Sequence, residues 1–196
     1  MGYPTEGIDR HIKKLVGRLE KRFSPKMRLA VTAALEHYTA TFAEIILTSD
    51  EAQELIGYTE VRPILLWHAL EECEHKAVAF DVMQKVAKVW YPRRILAMIE
   101  VSISFPIHTF LILNYMLKKD GFGFFQRAKM WASGLWWLYK PGGLFSSVIG
   151  HYAAYYKPGF HPWDTGQMDS YQIWLDTLNH TGNPILAGQA LHAAGA

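Results

Sequence analysis

The segment Trp67-His68-Ala69-Leu70-Glu71-Glu72-Cys73-Glu74-His75-Lys76 concentrates carboxylates and imidazoles in ten residues. Glu72 and His75 form a Glu-x-x-His pair. One helical turn apart, a carboxylate oxygen and an imidazole nitrogen can reach the same metal ion. On a continuous helix, His68, Glu72, His75, Ala79, Val82 and Val86 share a face, which the apolar members direct toward the core. Glu71, Glu74, Asp81, Lys85 and Lys88 then fall toward solvent. A buried, unpaired Glu72 would be costly, and a metal ion relieves that cost. A surface ion pair is the simpler use of so short a pattern; the apolar neighbours are what favour a metal.

A second carboxylate is available on the preceding helix. Leu29, Ala33, Glu36, Ala40, Ala43 and Leu47 form one stripe in which Glu36 is the only charge. Glu36 either pairs with His37 or a lysine at a helix surface, or serves as a metal ligand. One Glu on one helix and Glu-x-x-His on the next make half the ligand set of a ferritin-like di-iron bundle. The expected metal ligands are therefore Glu36, Glu72 and His75. His68 is a further ligand or a donor to one, and Glu71 an acid behind the ligands, so these two are the expected catalytic groups. Carboxylates with imidazole suit a divalent metal, iron first, with manganese or zinc as alternatives. Cys73 lies off the stripe and reads as packing. His161, His108 and Glu100 are lesser candidates, with packing roles expected for the two histidines.

The elements that must hold these residues are all helical. A first amphipathic helix is expected from Ile8 to Lys21. Ser24-Pro25 reads as an N-cap with proline in the first turn, opening a helix to Leu47 that is apolar nearly all round. Ser49-Asp50-Glu51 starts a short helix before Gly57. Thr59 is the expected cap of a long helix that carries the Glu-x-x-His pair and ends at Pro92. Further helices are expected over Arg93–Lys119, Phe122–Leu138 and Leu144–Tyr156. After the loop from Lys157, Asp164 is expected to cap a last helix ending near Asn179. The stretch from Thr181 is expected to be poorly ordered. The predicted fold class is all-α: half of a ferritin-like bundle in 1–92, an apolar aromatic helical region in 93–180 packed on it or on a membrane, and a tail in 181–196.

Composition narrows the function. The 196 residues are 50% hydrophobic and 19% charged, with a net charge of +2, a globular rather than a disordered composition. No Lys/Arg stripe marks a nucleic-acid surface. A single cysteine, Cys73, excludes a disulfide scaffold and zinc sites built on cysteine pairs. The first residues lack the apolar core of a secretory signal, which makes a cytoplasmic protein the expectation. Ile95–Leu117 has the length of a membrane span, yet Glu100, Pro106 and His108 interrupt it. A buried or interfacial helix is preferred to a span, leaving peripheral membrane contact as an expectation.

Three stretches carry a family resemblance. Leu35-Glu36-His37-Tyr38-Thr39-Ala40, then Trp67-His68 with Glu72 through Asp81, then Tyr156-Lys157-Pro158-Gly159-Phe160-His161-Pro162-Trp163 resemble the bacterial "predicted metal-dependent hydrolase" family, in order and across nearly the whole chain. The resemblance implies a ferritin-like bundle followed by apolar helices. Family members carry upstream helices with another Glu and another Glu-x-x-His, a spacing that Glu6, Asp9 and His11 do not reproduce. The expected function is a metal-dependent enzyme acting on an apolar small molecule, by hydrolytic or oxidative chemistry. The alternative is a non-catalytic, membrane-associated helical protein whose metal site is a relic or a structural staple. Two identical half-sets face to face would complete a site, so a homodimer is expected.

Overall fold

The computed structural model describes residues 4–57, 61–165 and 169–195. It is all-α, with no strand among the described residues. Helix α1 spans Glu6–Arg22, α2 Pro25–Thr48, α3 Asp50–Glu54 and α4 Arg62–His75. Next come α5 (Val78–Asp81), a π-helical turn (Val82–Val86), α6 (Tyr91–Lys119) and α7 (Phe124–Tyr139). Two short pieces, α8 (Leu144–Ser147) and α9 (Ile149–Ala154), a 3-10 turn (Pro162–Asp164), α10 (Asp169–Thr181) and α11 (Pro184–Gly195) complete the chain.

Helix α2 is the axis of the fold. Ser24 caps it by accepting the Met27 N–H at 3.3 Å, with Pro25 in the first turn as expected. Its buried alanines, Ala30, Ala33, Ala34, Ala40 and Ala43, let α4 and α6 approach from two sides. Ala97, Met98 and Val101 of α6 join Phe80, Met83, Tyr155 and Phe160 around the first half of α2. Leu66, Ala69, Leu70 and Cys73 of α4 meet Ala43 and Leu47 of its second half. Cys73 is a packing residue, as its position off the ligand stripe implied.

Several boundaries differ from expectation. The expected cap Thr59 lies outside the described residues. The long helix through the Glu-x-x-His pair is broken directly after His75, then resumes as α5 and the π turn. Lys76 turns inward at the break; it is 5% exposed, donates to the Thr165 carbonyl at 2.5 Å and lies over the Trp163 ring. Pro92 sits in the first turn of α6 rather than only ending its predecessor. The Leu144–Tyr156 helix is split at Val148. Asp164 caps no long helix: its carboxylate accepts the His161 N–H beside the 3-10 turn.

The stretch expected to be poorly ordered forms α11. Ala187 and Leu191 of α11 are buried with Trp174 against α4, and burying that apolar surface stabilises the helix. Small and apolar residues at helical spacing carry this signal, and Asn183 caps the helix by accepting the Ile185 N–H at 2.9 Å, with Pro184 in the first turn.

Candidate metal centre

The face of α4 that turns inward is Leu66, Ala69, Leu70 and Cys73. That overturns the expectation that His68, Glu72, His75, Val82 and Val86 point into the core. His68, His75, Val82 and Val86 are exposed and Glu72 is half-buried. The physical reason is area: a Leu/Ala/Leu/Cys stripe gains more on burial than one carrying two imidazoles and a carboxylate. The acid/histidine stripe is left on an open face of the α2–α4 pair.

Two helices nevertheless bring the three expected ligands to that face. Glu36 projects from α2, and its Oε2 accepts the Ala79 N–H at 3.2 Å, one of the amides freed where the helix breaks after His75. Burial raises the Glu36 carboxyl above its ordinary range; the Ala79 amide and nearby His75 oppose this, and Glu72 adds to it. Glu36 thus feels both Glu72 and His75. Glu72 Oε2 accepts the Thr39 hydroxyl at 2.6 Å, and its Oε1 stands 3.6 Å from His68 Nε2. Glu71 is half-buried, with no hydrogen bond or ion pair to these groups.

The donor chemistry fits a divalent ion, since carboxylate oxygens and imidazole nitrogens with spare lone pairs share a surface. The number of donors does not complete a site. Among the described residues, no three His, Cys, Asp or Glu side chains converge closely enough to hold a metal. What this chain presents is a group of carboxylate and imidazole side chains on an open face.

Sequence reasoning missed the polar line behind that set. His37, 2% exposed, faces the His151 carbonyl at 3.2 Å through Nε2, and burial lowers its pKa to about 4. A neutral imidazole with Nε2 protonated satisfies this contact. His151 Nδ1 meets Glu44 Oε2 at 2.7 Å, and Thr41 donates to the His37 carbonyl at 2.8 Å. Thr39 was missed as well, although it lies one turn after Glu36 on α2. Glu44 carried a signal too, as an acid in the nearly all-apolar α2; its partner, 107 residues on, did not.

Of the lesser candidates, the two histidines make structural contacts. His161 Nδ1 accepts the Trp163 N–H at 3.3 Å, so Nε2 carries the proton and donates to Asp81 Oδ1 at 3.1 Å. Asp81 is held below the ordinary carboxylate range by Lys85 and then by His161. His108 bonds within its own helix, to the Ser104 carbonyl. Glu100 has no hydrogen-bond or ion-pair partner among the described residues.

Residues 1–166 match the family described as "predicted metal-dependent hydrolase", which implies a metal ion. No curated protein and no solved structure matches the chain.

Proposed function

We propose, for a chain that belongs to the predicted metal-dependent hydrolase family, that its α2–α4 face is half of a ferritin-like metal centre acting on an apolar small molecule. The observation that supports this reading is the placement of Glu36 on α2 near Glu72 and His75 of α4, with Glu72 tied to α2 by the Thr39 hydroxyl at 2.6 Å. These three would hold the metal, with iron the first choice and manganese or zinc the alternatives. A divalent ion there supplies Lewis-acid polarisation and an activated water.

The chain's own residues have separable tasks around it. Thr39 fixes one oxygen of Glu72 and leaves the other toward His68. His68, exposed 3.6 Å from that oxygen, would serve as a further ligand or as a donor to Glu72, with Glu71 as a further acid on the same helix. Along α4, Ile64 and Trp67 border an open apolar cleft of about 510 Å³, lined also by Trp174, Leu178 and Ile185. Its lining supports an apolar substrate.

A second copy of the chain completes the ligand set in this reading. Two halves provide four carboxylates and two imidazoles, the count of a di-iron site. Val78, Val82 and Val86 are exposed around the open face, an apolar rim suited to pairing. The test is elemental analysis of freshly purified protein together with light scattering on metal-free and iron-loaded samples. Stoichiometric metal and a dimer are expected. A monomer in both states with no retained metal would sink the proposal.

A further inference from the structure

The helix Tyr91–Lys119 is long and apolar enough to cross a membrane, with a mean hydropathy of 1.8 over its most apolar 18 residues, yet only 17% of that window is buried. A core helix of a soluble bundle would be mostly covered. Its inward face is spent on α2 through Ala97, Met98 and Val101. The opposite face leaves Leu96, Ile99, Ile103, Ile107 and Phe110 exposed in one row.

Helix α7 turns back along the distal half of α6. Phe110 meets the Trp131 ring at 4.6 Å, and Arg127 donates to Asn114 Oδ1 at 3.3 Å, the pairing of an antiparallel hairpin. At its tip, Gly121, with φ +89°, makes the turn that presents Phe122, Phe124 and Phe125. Phe124 is 71% and Phe125 85% exposed, so neither contributes appreciably to the core. Lys118, Lys119 and Lys129 surround these rings in sequence, all exposed. With the buried Arg94 set aside, residues 91–140 hold six basic and two acidic side chains, whereas the whole chain has a net charge of only +2. Positive charge is therefore concentrated on the element with the most exposed apolar surface.

We propose that the α6–α7 hairpin, tip and outer row, docks on an anionic phospholipid bilayer. Exposed aromatics entering the interface and lysines meeting lipid headgroups are the two contributions such binding needs. A solvent-facing protein surface gains nothing from three adjacent exposed phenylalanine rings. The hairpin lies on the surface rather than across it, because Glu100 flanks the apolar row at one end and Arg127 is tied to Asn114 within it. This inference does not depend on the metal reading, since none of the proposed ligands lies on the hairpin.

The test is co-sedimentation with sucrose-loaded vesicles of phosphatidylcholine alone or with about 30% phosphatidylserine, an anionic lipid that gives the vesicle a negative surface potential. The full chain is expected to pellet with the anionic vesicles and to be released as salt rises. Phe124→Ser with Phe125→Ser is expected to weaken binding at least tenfold with unchanged thermal unfolding; Lys118→Glu with Lys119→Glu should abolish the preference for phosphatidylserine. Glu72→Ala should bind vesicles like the parent, which separates this proposal from that of the metal site. Parent protein left in the supernatant with anionic vesicles would overturn the proposal. So would a double-Phe variant that binds equally well, or one that converts a dimer to a monomer while vesicle binding is absent, which would assign the face to a second copy.

Discussion

Glu36 accepts the Ala79 amide across the α2–α5 contact, so one carboxylate both sets the charge at the candidate site and stabilises the helix restart after His75. Ala79 is among the first residues of α5, whose amides have no partner within the helix. A carboxylate acceptor for such an amide contributes about 1.5–3 kcal/mol. Glu36→Ala should therefore lower stability by an amount in that range, and Glu36→Gln by less, since its amide oxygen can still accept. Urea unfolding of the metal-free proteins reads this. Equal losses in the two variants would show that the charge, and not the Ala79 bond, is what matters.

Metal content should follow the open face and ignore the buried one. Glu72→Ala and His75→Ala are expected to purify with less than a tenth of the parent's metal. Cys73→Ala should retain it, because the thiol points inward and burial pushes its pKa up to about 11. Inductively coupled plasma analysis of the three variants decides the matter, and equal metal in all three would remove Glu72 and His75 from the site.

His37 gives the metal-free fold an acid-sensitive step. Burial is the main cause that lowers its pKa from 6.5 to about 4. Below 6.5 the unfolded chain takes up a proton that the folded chain refuses, so stability is full above pH 6.5 and falls until about pH 4. The difference amounts to about 3 kcal/mol over the whole window. His37→Phe keeps a ring against Tyr155 and Phe160 and should flatten the dependence of urea midpoint on pH between those limits. An unchanged slope would assign the sensitivity to other groups.

The sequence carried the helical class and most helix starts because those depend on local chemistry: Ser24 and Ser49 cap where their hydroxyls can reach free amides. Helical spacing also put Glu72 and His75 near one side of α4, whereas the nearness of Glu36 to them comes from α2–α4 packing, which spacing within one helix does not fix. The direction of that face was not legible. Leu66, Ala69, Leu70 and Cys73 form a competing apolar stripe one position away, and only packing against α2 and α11 decides between the two. The break after His75 was equally hidden, because it depends on Glu36 and on the carbonyl of Thr165, 89 residues beyond Lys76.

Arg94 should prove a structural residue of high cost. It is 3% exposed, and its Nη2 donates to the Tyr155 and Lys157 carbonyls at 3.0 and 2.6 Å. Its guanidinium also lies against the Tyr91, Tyr155, Phe80 and Phe160 rings. Arg94→Met keeps the stem but leaves both carbonyls without this donor, so a loss of about 3 kcal/mol is expected. Metal binding should change little if the fold survives in mild conditions. A stability within 0.5 kcal/mol of the parent, about the scatter of neutral surface substitutions, would show that water replaces the side chain there.

The docking of α11 can be tested at a single hydrogen atom. Gly188 faces Pro63, near the start of α4, so closely that an added Cβ would lie 2.9 Å from Pro63 Cβ and 3.0 Å from Pro63 Cα. Neither atom can swing aside, because the ring and backbone of Pro63 are rigid. On an isolated helix, Gly→Ala is favourable by up to about 1 kcal/mol. In this contact the overlap should outweigh that gain and cost about 1–3 kcal/mol, mostly by separating α11 from Leu66 and Leu70. The same substitution at Gly134, in α7 with nothing within 4 Å of an added Cβ, should be neutral or stabilising, which makes it the control for propensity. Hydrogen exchange should show the α11 amides losing protection in Gly188→Ala while those of α2 keep theirs. If Gly188→Ala is as stable as Gly134→Ala, the close approach of α11 to α4 is not a feature of the folded protein.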